Sequence, residues 1–555
     1  MPRFVGPLLL LAFLTFFVGL GRGAITDADE AFYAEAAREM VESGDWLTPS
    51  YNYQPRFQKP ILYYWLTAAT YLITGPGEAA ARFWSACAGL GLALVTAACA
   101  RRWYDDGTAL LAGAIAATNF GYVALARMSL PDLPLAFFIT LGIYALFTAT
   151  LERERRPRIW VVLAAASLAL GFLTKGPVAI VVPAIVVGPL LLIERRGLNL
   201  RFGDAVVGVV VFTAIAAPWY VAMWWAHGTA YLEGFFLGDN FERFATDRFN
   251  DPRPWWFYVP VVAGGMLPWT PLAMVWLRPI GQFVRGRRAA STIEVRLLLW
   301  AIVPLLFFTA SIGKQPRYVL PVLPPLAILL AASILERTRR WRSRDGAHSR
   351  GGTGGALRVG VAMSGLFLLG LAALLYRARG VLINIDDSLT TIAAAIIGLG
   401  GTGVVAVSVS PYWRSVPVAI TVAAATAFPA LQFGVFAASE DDPVRRAAAL
   451  VERARGDGAA VAAYRVFVRN LIFYTRFEHA EPHSDEQLRD FFLRQQRVVA
   501  VLPADVAERV EREQRVPLER WAELPYLSNG SIRVGTILSP DPQRDIERVV
   551  IVSNR

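Results

Sequence analysis

The stretch TDADEAFYAEAAREMVESGDWLTPSYNYQPRFQKPILYYW, Thr26–Trp65, decides how this chain is read. It follows directly on the first apolar run and brings together Asp27, Asp29, Glu30, Tyr33, Arg56 and Lys59. Carboxylates and cations beside a membrane are costly, so their concentration in one loop marks a site. Within it, residues 29–42 show an amphipathic helical pattern, with Phe32, Ala36 and Met40 on one side and Arg38, Glu39 and Glu42 elsewhere. Residues 61–74 are apolar, aromatic-rich and short for a span. Both suit helices lying along a membrane surface, as does YLEGFFLGDNFERFATDRF from Tyr231.

Outward from that loop the chain is strongly apolar. Its 555 residues are 55% hydrophobic and only 18% charged, with mean hydropathy +0.42. The charges fall between apolar runs of about 16–22 residues, which predicts a polytopic α-helical membrane protein with about 13 transmembrane helices. Expected spans are 4–21, 82–100, 108–126, 132–151, 159–174, 177–193, 205–226, 256–277, 293–312, 317–335, 357–376, 389–409 and 416–437. The N-terminal run lacks a clear small-x-small cleavage pattern and reads as an uncleaved first span. Cys87 and Cys99 share one predicted helix, about 18 Å apart at the helical rise, so they do not pair with each other.

The net charge of +11 is not a nucleic-acid signal. Arg101-Arg102, ERERRPR from Glu152, ERR from Glu194, RGRR from Arg285 and ERTRRWRSR from Glu336 fall on alternate loops. A positive-inside bias makes that side cytoplasmic. The Asp29 loop, the Asp132 end, Lys175, residues 227–255 and KQPRY from Lys314 then share the extracytoplasmic face. SRDGAHSRGGTGG from Ser343 has linker composition. After residue 437 charges rise, and AAVAAYRV from Ala459 and RVVAVLP from Arg497 look like strands. The expected division is a transmembrane domain over 1–437 and a small extracytoplasmic α/β domain over 438–555.

Asp29 and Glu30 are paired carboxylates that can deprotonate a hydroxyl, bind a sugar or hold a cation, although Asp29 also suits a helix cap. Asp132, in ARMSLPDLPLAFF, stands at the mouth of a span on the same face, where two acids could position an acceptor. Lys59 and Arg56, in RFQKPILYYW, can bind a phosphate leaving group or snorkel to lipid headgroups. Arg243, Arg317 and Lys175 are further cations for that task, and Tyr318 could donate to phosphate. His479 and His483 in EHAEPH are four apart, but Pro482 disfavours a shared helical face, which favours an exposed loop over a metal site. Asn529-Gly530-Ser531 fits a glycosylation acceptor pattern by chance. No phosphate-cradling glycine loop with an adjoining Lys-Ser/Thr is present, which disfavours ATP-driven chemistry.

In order along the chain, DEAFYAEAAREMVESGDWLTP, FQKPILYYW, RMSLPDLPLAFF and KQPRYVLPVLPPLA resemble the polyprenyl-phosphate-sugar-dependent glycosyltransferases of the GT-C fold. The resemblance is to the aminoarabinose lipid A transferases and their protein O-mannosyltransferase relatives, and runs through most of the membrane part. It implies that Asp29 is the principal catalytic or substrate-orienting carboxylate with Glu30 beside it, and Asp132 the second acid. It implies also that Lys59 holds the carrier phosphate, Tyr318 lines that pocket, Tyr33 stands near the carboxylate, and Arg243 is a phosphate-binding arginine. Two positions depart: Phe32 stands where the aminoarabinose branch often has arginine, and Arg56 where it tends to be aromatic.

The expected activity is inverting transfer of a sugar from a polyprenyl-phosphate carrier to an extracytoplasmic acceptor, lipid A or another envelope glycolipid or glycan, in a cell inner membrane. No cofactor is required because the donor is activated; a divalent cation has no support in the residues. Expected partners are the donor, a lipid or glycan acceptor and membrane lipid, with no nucleic acid. The alternatives are a protein O-mannosyltransferase-like enzyme, a polytopic lipid or sugar flippase, and a non-catalytic envelope scaffold. A flippase predicts charges near span centres, whereas these acids sit at span ends.

Overall fold

The computed structural model describes residues 4–27, 29–149, 156–194, 201–242, 246, 252–342, 353–382, 386–411, 415–436, 442–456, 458–514, 516–527 and 538–554. Among them, nine helices are long and apolar enough to cross a membrane, or up to eleven if each of two bent pairs is one span. The bent pairs are Asp106–Ala117 with Phe120–Ala126, and Tyr258–Gly265 with Thr270–Val284. Two shorter apolar helices, Val5–Phe17 and Val178–Ile193, occupy the remaining expected positions. Each apolar run expected to span is therefore helical.

Lipid tails are as apolar as leucine, so spans associate through close packing, and small residues permit it. The alanine- and glycine-rich helix Glu78–Trp103 lies against Asp106–Ala117 and Asp132–Ala149. A methyl group added at Gly91 would come within 2.7 Å of the Phe137 ring, and one at Gly89 within 3.1 Å of Phe16. Helix ends carry local signals. Asp105 accepts from the Thr108 N–H at 2.8 Å, and Ser291 and Glu294 form a reciprocal capping box.

The short strands β1 (Ser50–Tyr51) and β2 (Gln54–Pro55) form a hairpin after helix Asp29–Ser43. The C-terminal region holds β3 (Ala460–Ala463), β4 (His479–Ala480), β5 (Val498–Pro503), β6 (Glu519–Tyr526) and β7 (Glu547–Ser553). Their order is β4-β3-β5-β7-β6, with β3 parallel to β4 and β5, and β7 antiparallel to β5 and β6. Side chains alternate between two cores. Val499 and Val501 pack with Val444, Ala447 and Val451, while Val498, Ala500 and Leu502 pack with Leu488, Phe491 and Val506. The two expected strands are β3 and β5, buried on both faces as central strands are. The boundary between residues 437 and 438 lies outside the described residues, as do residues 343–352 of the linker and Asn529-Gly530-Ser531.

One expectation is corrected. Helix Asp29–Ser43 forms where the pattern predicts it, but its polar face is not free: Glu30, Ala31 and every residue from Tyr33 to Met40 are buried. It packs on helix Leu62–Thr74 and on Leu471–Thr475 of the C-terminal region, which covers the side that would otherwise meet water. Its charges are paired beneath that cover. Arg38 bridges Glu35 at 2.7 Å and Glu42 at 2.6 Å, and Glu39 accepts from Ser50 Oγ at 2.6 Å and the Tyr53 N–H at 3.1 Å. From Tyr231 the chain is helical to Leu232 and continues as a wide π-type turn over Glu233–Glu242.

Candidate active site

Four chain segments meet through helix ends. Asp29 opens helix Asp29–Ser43, Asp132 opens Asp132–Ala149, Lys175 closes Pro157–Lys175, and Arg317 lies in the 3-10 turn Pro316–Val322. They form one ionic chain. Lys175 pairs with Asp132, Arg317 pairs with Asp29, and Arg317 Nε lies 3.5 Å from Asp132 Oδ1. At that distance the Nε feels the charge but makes no good hydrogen bond, and it has no other hydrogen-bond partner among the described residues. The two acids are not equivalent. Asp29 is 46% exposed and Asp132 only 4%, so an incoming molecule reaches Asp29 while Asp132 anchors the cations.

Glu30, next in sequence, is fully buried and turned the other way. Arg82 Nε binds its Oε1 at 2.7 Å and Arg82 Nη2 its Oε2 at 3.3 Å. The Ser129 N–H donates to Oε1 at 3.0 Å, and the Thr26 N–H and hydroxyl both donate to Oε2 at 2.9 Å. Burial pushes this carboxyl up, but the guanidinium and the N–H donors outweigh it and hold Glu30 below the ordinary carboxylate range. Arg82 also donates to the carbonyls of Leu20, Arg22, Gly23 and Ala24. The expected Asp29-Glu30 pair is thus split: Glu30 ties the loop to the bundle and Asp29 faces the site.

The expected aromatic wall is present. Tyr33 stacks on Tyr64 with centroids 5.5 Å apart and meets Tyr63 edge-on at 5.6 Å. Burial, then the neighbouring Tyr64 and Asp29, drives the Tyr33 hydroxyl well above its ordinary value, so it stays protonated. The two departures from the family pattern meet each other: the Arg56 guanidinium stacks on the Phe32 ring at 3.9 Å. Tyr318 lies beneath Lys175, whose Nζ is 5.2 Å from the ring centre. Arg243 lies outside the described residues.

Lys59 has a partner that the sequence did not single out, Asp239, in the turn Glu233–Glu242. That segment packs beside the site. Phe235 sits against Gly176, beside Lys175, leaving no room there for a methyl group, and Tyr231 meets Phe57 edge-on at 5.8 Å. Arg82 carried one legible signal, as a lone cation in an alanine-rich apolar run. His479 is a second correction: it is buried, its ring bonds Thr475 Oγ1 at 2.8 Å, and its backbone pairs with the Asn52 amide, whereas His483 is exposed. Tertiary docking on the hairpin, not loop composition, decides its place.

Comparison with known proteins agrees with this architecture. The family model for dolichyl-phosphate-mannose-protein mannosyltransferase matches residues 8–232. In Pseudomonas fluorescens, undecaprenyl phosphate-alpha-4-amino-4-deoxy-L-arabinose arabinosyl transferase 2 is 34% identical over 62% of this chain, and the match spans only 58% of that relative's length. Transferase 1 of the same organism is 32% identical over 72% of this chain and 70% of its own. The crystal structure of ArnT from Cupriavidus metallidurans bound to undecaprenyl phosphate has 21% identity and a TM-score of 0.73, covering 99% of this chain and 98% of that one. The fold is that of the GT-C class of polytopic helical proteins. Within that class, the chain belongs to the undecaprenyl phosphate-aminoarabinose arabinosyl transferase family.

Proposed function

We propose that this protein moves a sugar from a polyprenyl-phosphate carrier to a lipid or glycan acceptor, with inversion, on the extracytoplasmic face of a cell inner membrane. The observation that carries the reading is the charge balance around Asp29. Lys59, Lys175, Arg317 and Arg56 face three carboxylates, Asp29, Asp132 and Asp239. Among the described residues this is a local cationic surplus, which favours an anionic ligand such as a carrier phosphate. The relatives' names support undecaprenyl phosphate-aminoarabinose as donor. The division at residue 437 into a transmembrane transferase domain and an extracytoplasmic domain belongs to the same proposal.

In the reaction, an acceptor oxygen forms a bond to the anomeric carbon as the bond from that carbon to the carrier phosphate oxygen breaks. The electron pair leaves with the phosphate, and Lys59 and Arg317 stabilise the growing charge. A hydroxyl acceptor passes its proton to Asp29; a phosphate oxygen, already anionic, needs only orientation by it. Asp132 holds Lys175 and Arg317 in place, Tyr33 and Tyr64 wall the sugar, and Arg56 joins Lys59 in binding phosphate. Glu30 serves the fold.

The test is transfer from a panel of radiolabelled polyprenyl-phosphate sugars to total envelope lipid and protein, with purified parent, Asp29→Asn and Lys59→Ala. Label moving into lipid with the parent and not the variants is the expected result. Label in protein would instead select the mannosyltransferase-like alternative, which the match over residues 8–232 favours. No transfer from any donor would overturn the reading.

A further inference from the structure

Asp27 has no part in the reaction above, although it stands two residues ahead of Asp29. Its carboxylate points into the C-terminal domain. Oδ1 accepts from the Arg469 N–H at 2.7 Å and Oδ2 from the Val468 N–H at 3.2 Å. Consecutive N–H groups converging on one carboxylate form an anion-binding nest. This nest follows β3, at the carboxyl end of the parallel strands, where open α/β sheets hold their ligands. The turn is built for the purpose: Arg465 and Phe467 take φ of 62° and 53°, a left-handed conformation that costs energy in residues other than glycine. The ligand position of the sheet is thus filled by a side chain of the membrane domain.

The neighbouring contacts grip the same few residues. The Asn470 side-chain amide donates to the Ile25 carbonyl at 2.8 Å. The Tyr474 hydroxyl accepts from the Ile25 N–H at 2.8 Å and donates to Glu78 at 2.9 Å. On the far side of Asp29, Glu30 is held by Arg82, Thr26 and Ser129. Asp29 therefore lies between two fixed points, one in the bundle and one in the C-terminal domain.

We infer that the C-terminal domain is a working part of the site: through the nest of Val468 and Arg469 it fixes the turn that presents Asp29, which makes Asp27 a positioning residue. This rests on the reading that Asp29 acts in transfer. A fixed turn keeps the exposed carboxylate within reach of the acceptor oxygen, and small misplacements of reacting groups cost orders of magnitude in rate.

The experiment compares parent, Asp27→Ala, Asp27→Asn and Asn52→Ala by amide hydrogen exchange and by transfer kinetics. Asn52 joins the same two domains through His479, and among the described residues it makes no hydrogen bond to Ile25, Thr26, Asp27 or Asp29. In Asp27→Ala, exchange in the first turn of helix Asp29–Ser43 should rise about tenfold while β3 and β5 keep their protection. Its kcat should fall about tenfold with donor KM nearly unchanged. Asp27→Asn keeps one acceptor oxygen and should recover part of both effects; it also decides the matter by exchange should the alanine variant not fold. Asn52→Ala should lower the melting temperature and leave kcat alone. Parent-like exchange at that turn in both Asp27 variants, or a kcat loss matched by Asn52→Ala, would overturn the inference. If the parent transfers no sugar, the proposed function falls and the exchange comparison alone decides the clamp.

Discussion

Asp29 and Glu30 are adjacent and carry the same charge, yet they do opposite work. Glu30 is wholly buried, and both its oxygens are occupied by Arg82, Thr26 and Ser129. Asp29 is nearly half exposed and is held by Arg317, a cation shared with Asp132. Successive residues at a helix start point in different directions, so a step of one residue separates bundle from site. A carboxylate whose oxygens are all engaged inside the protein has nothing left to offer a substrate. One that is accessible and paired with a shared cation can exchange that partner for a ligand.

The sharpest way to break this contrast is Arg82→Ala. It strands Glu30 in a buried site and frees four loop carbonyls, so we expect a loss of about 3–5 kcal/mol, read as lower membrane yield and a lower unfolding midpoint in detergent. Parent-like stability would remove the structural role of the clamp. Next in size, Asp29→Asn should lower transfer at least about a hundredfold with the unfolding midpoint unmoved. Full activity would end its assignment as an essential group.

A smaller effect probes the cation. Lys59→Ala should raise donor KM about tenfold, the scale of one lost charge-assisted hydrogen bond. It also leaves Asp239, only 3% exposed, without that partner. The double variant Lys59→Ala/Asp239→Ala should therefore regain stability but not donor affinity. If affinity returns as well, Lys59 serves only to neutralise Asp239.

The smallest effect concerns docking of the C-terminal domain. Burial, helped by Arg455, holds His479 down to about 4 from its ordinary 6.5. A group depressed in the folded state gives its full stability above the unfolded value and loses it as pH falls towards the folded one. Docking should thus weaken between pH 6.5 and 4, by about 1 kcal/mol near pH 5.5. Limited proteolysis across that range checks it, and His479→Gln should flatten the response.

Much of this was legible in the chain itself. Long apolar runs gave the helices, because a bilayer core admits few other structures. Short apolar runs from Ala459 and Arg497, set between charged segments, gave β3 and β5. The placement of Asp29, Asp132, Lys175 and Arg317 at span ends, on one side by the arginine pattern of the loops, anticipated that they would meet. Two features failed to transfer. The helical pattern of residues 29–42 suggested a surface helix because Arg38 and Glu39 look solvent-facing in one dimension. EHAEPH suggested an exposed loop because proline and charge are common there.

The sequence by itself determined where the apolar helices and the two central strands lie and which residues can carry charge at helix ends, since both depend on neighbours a few positions away. Only the tertiary structure decided which charges are spent and which are presented. Arg82 meets Glu30, Asp239 meets Lys59, and Val468 and Arg469 meet Asp27 across long stretches of chain. Such pairings follow from how helices and sheet pack, and hydropathy, being local, does not record them.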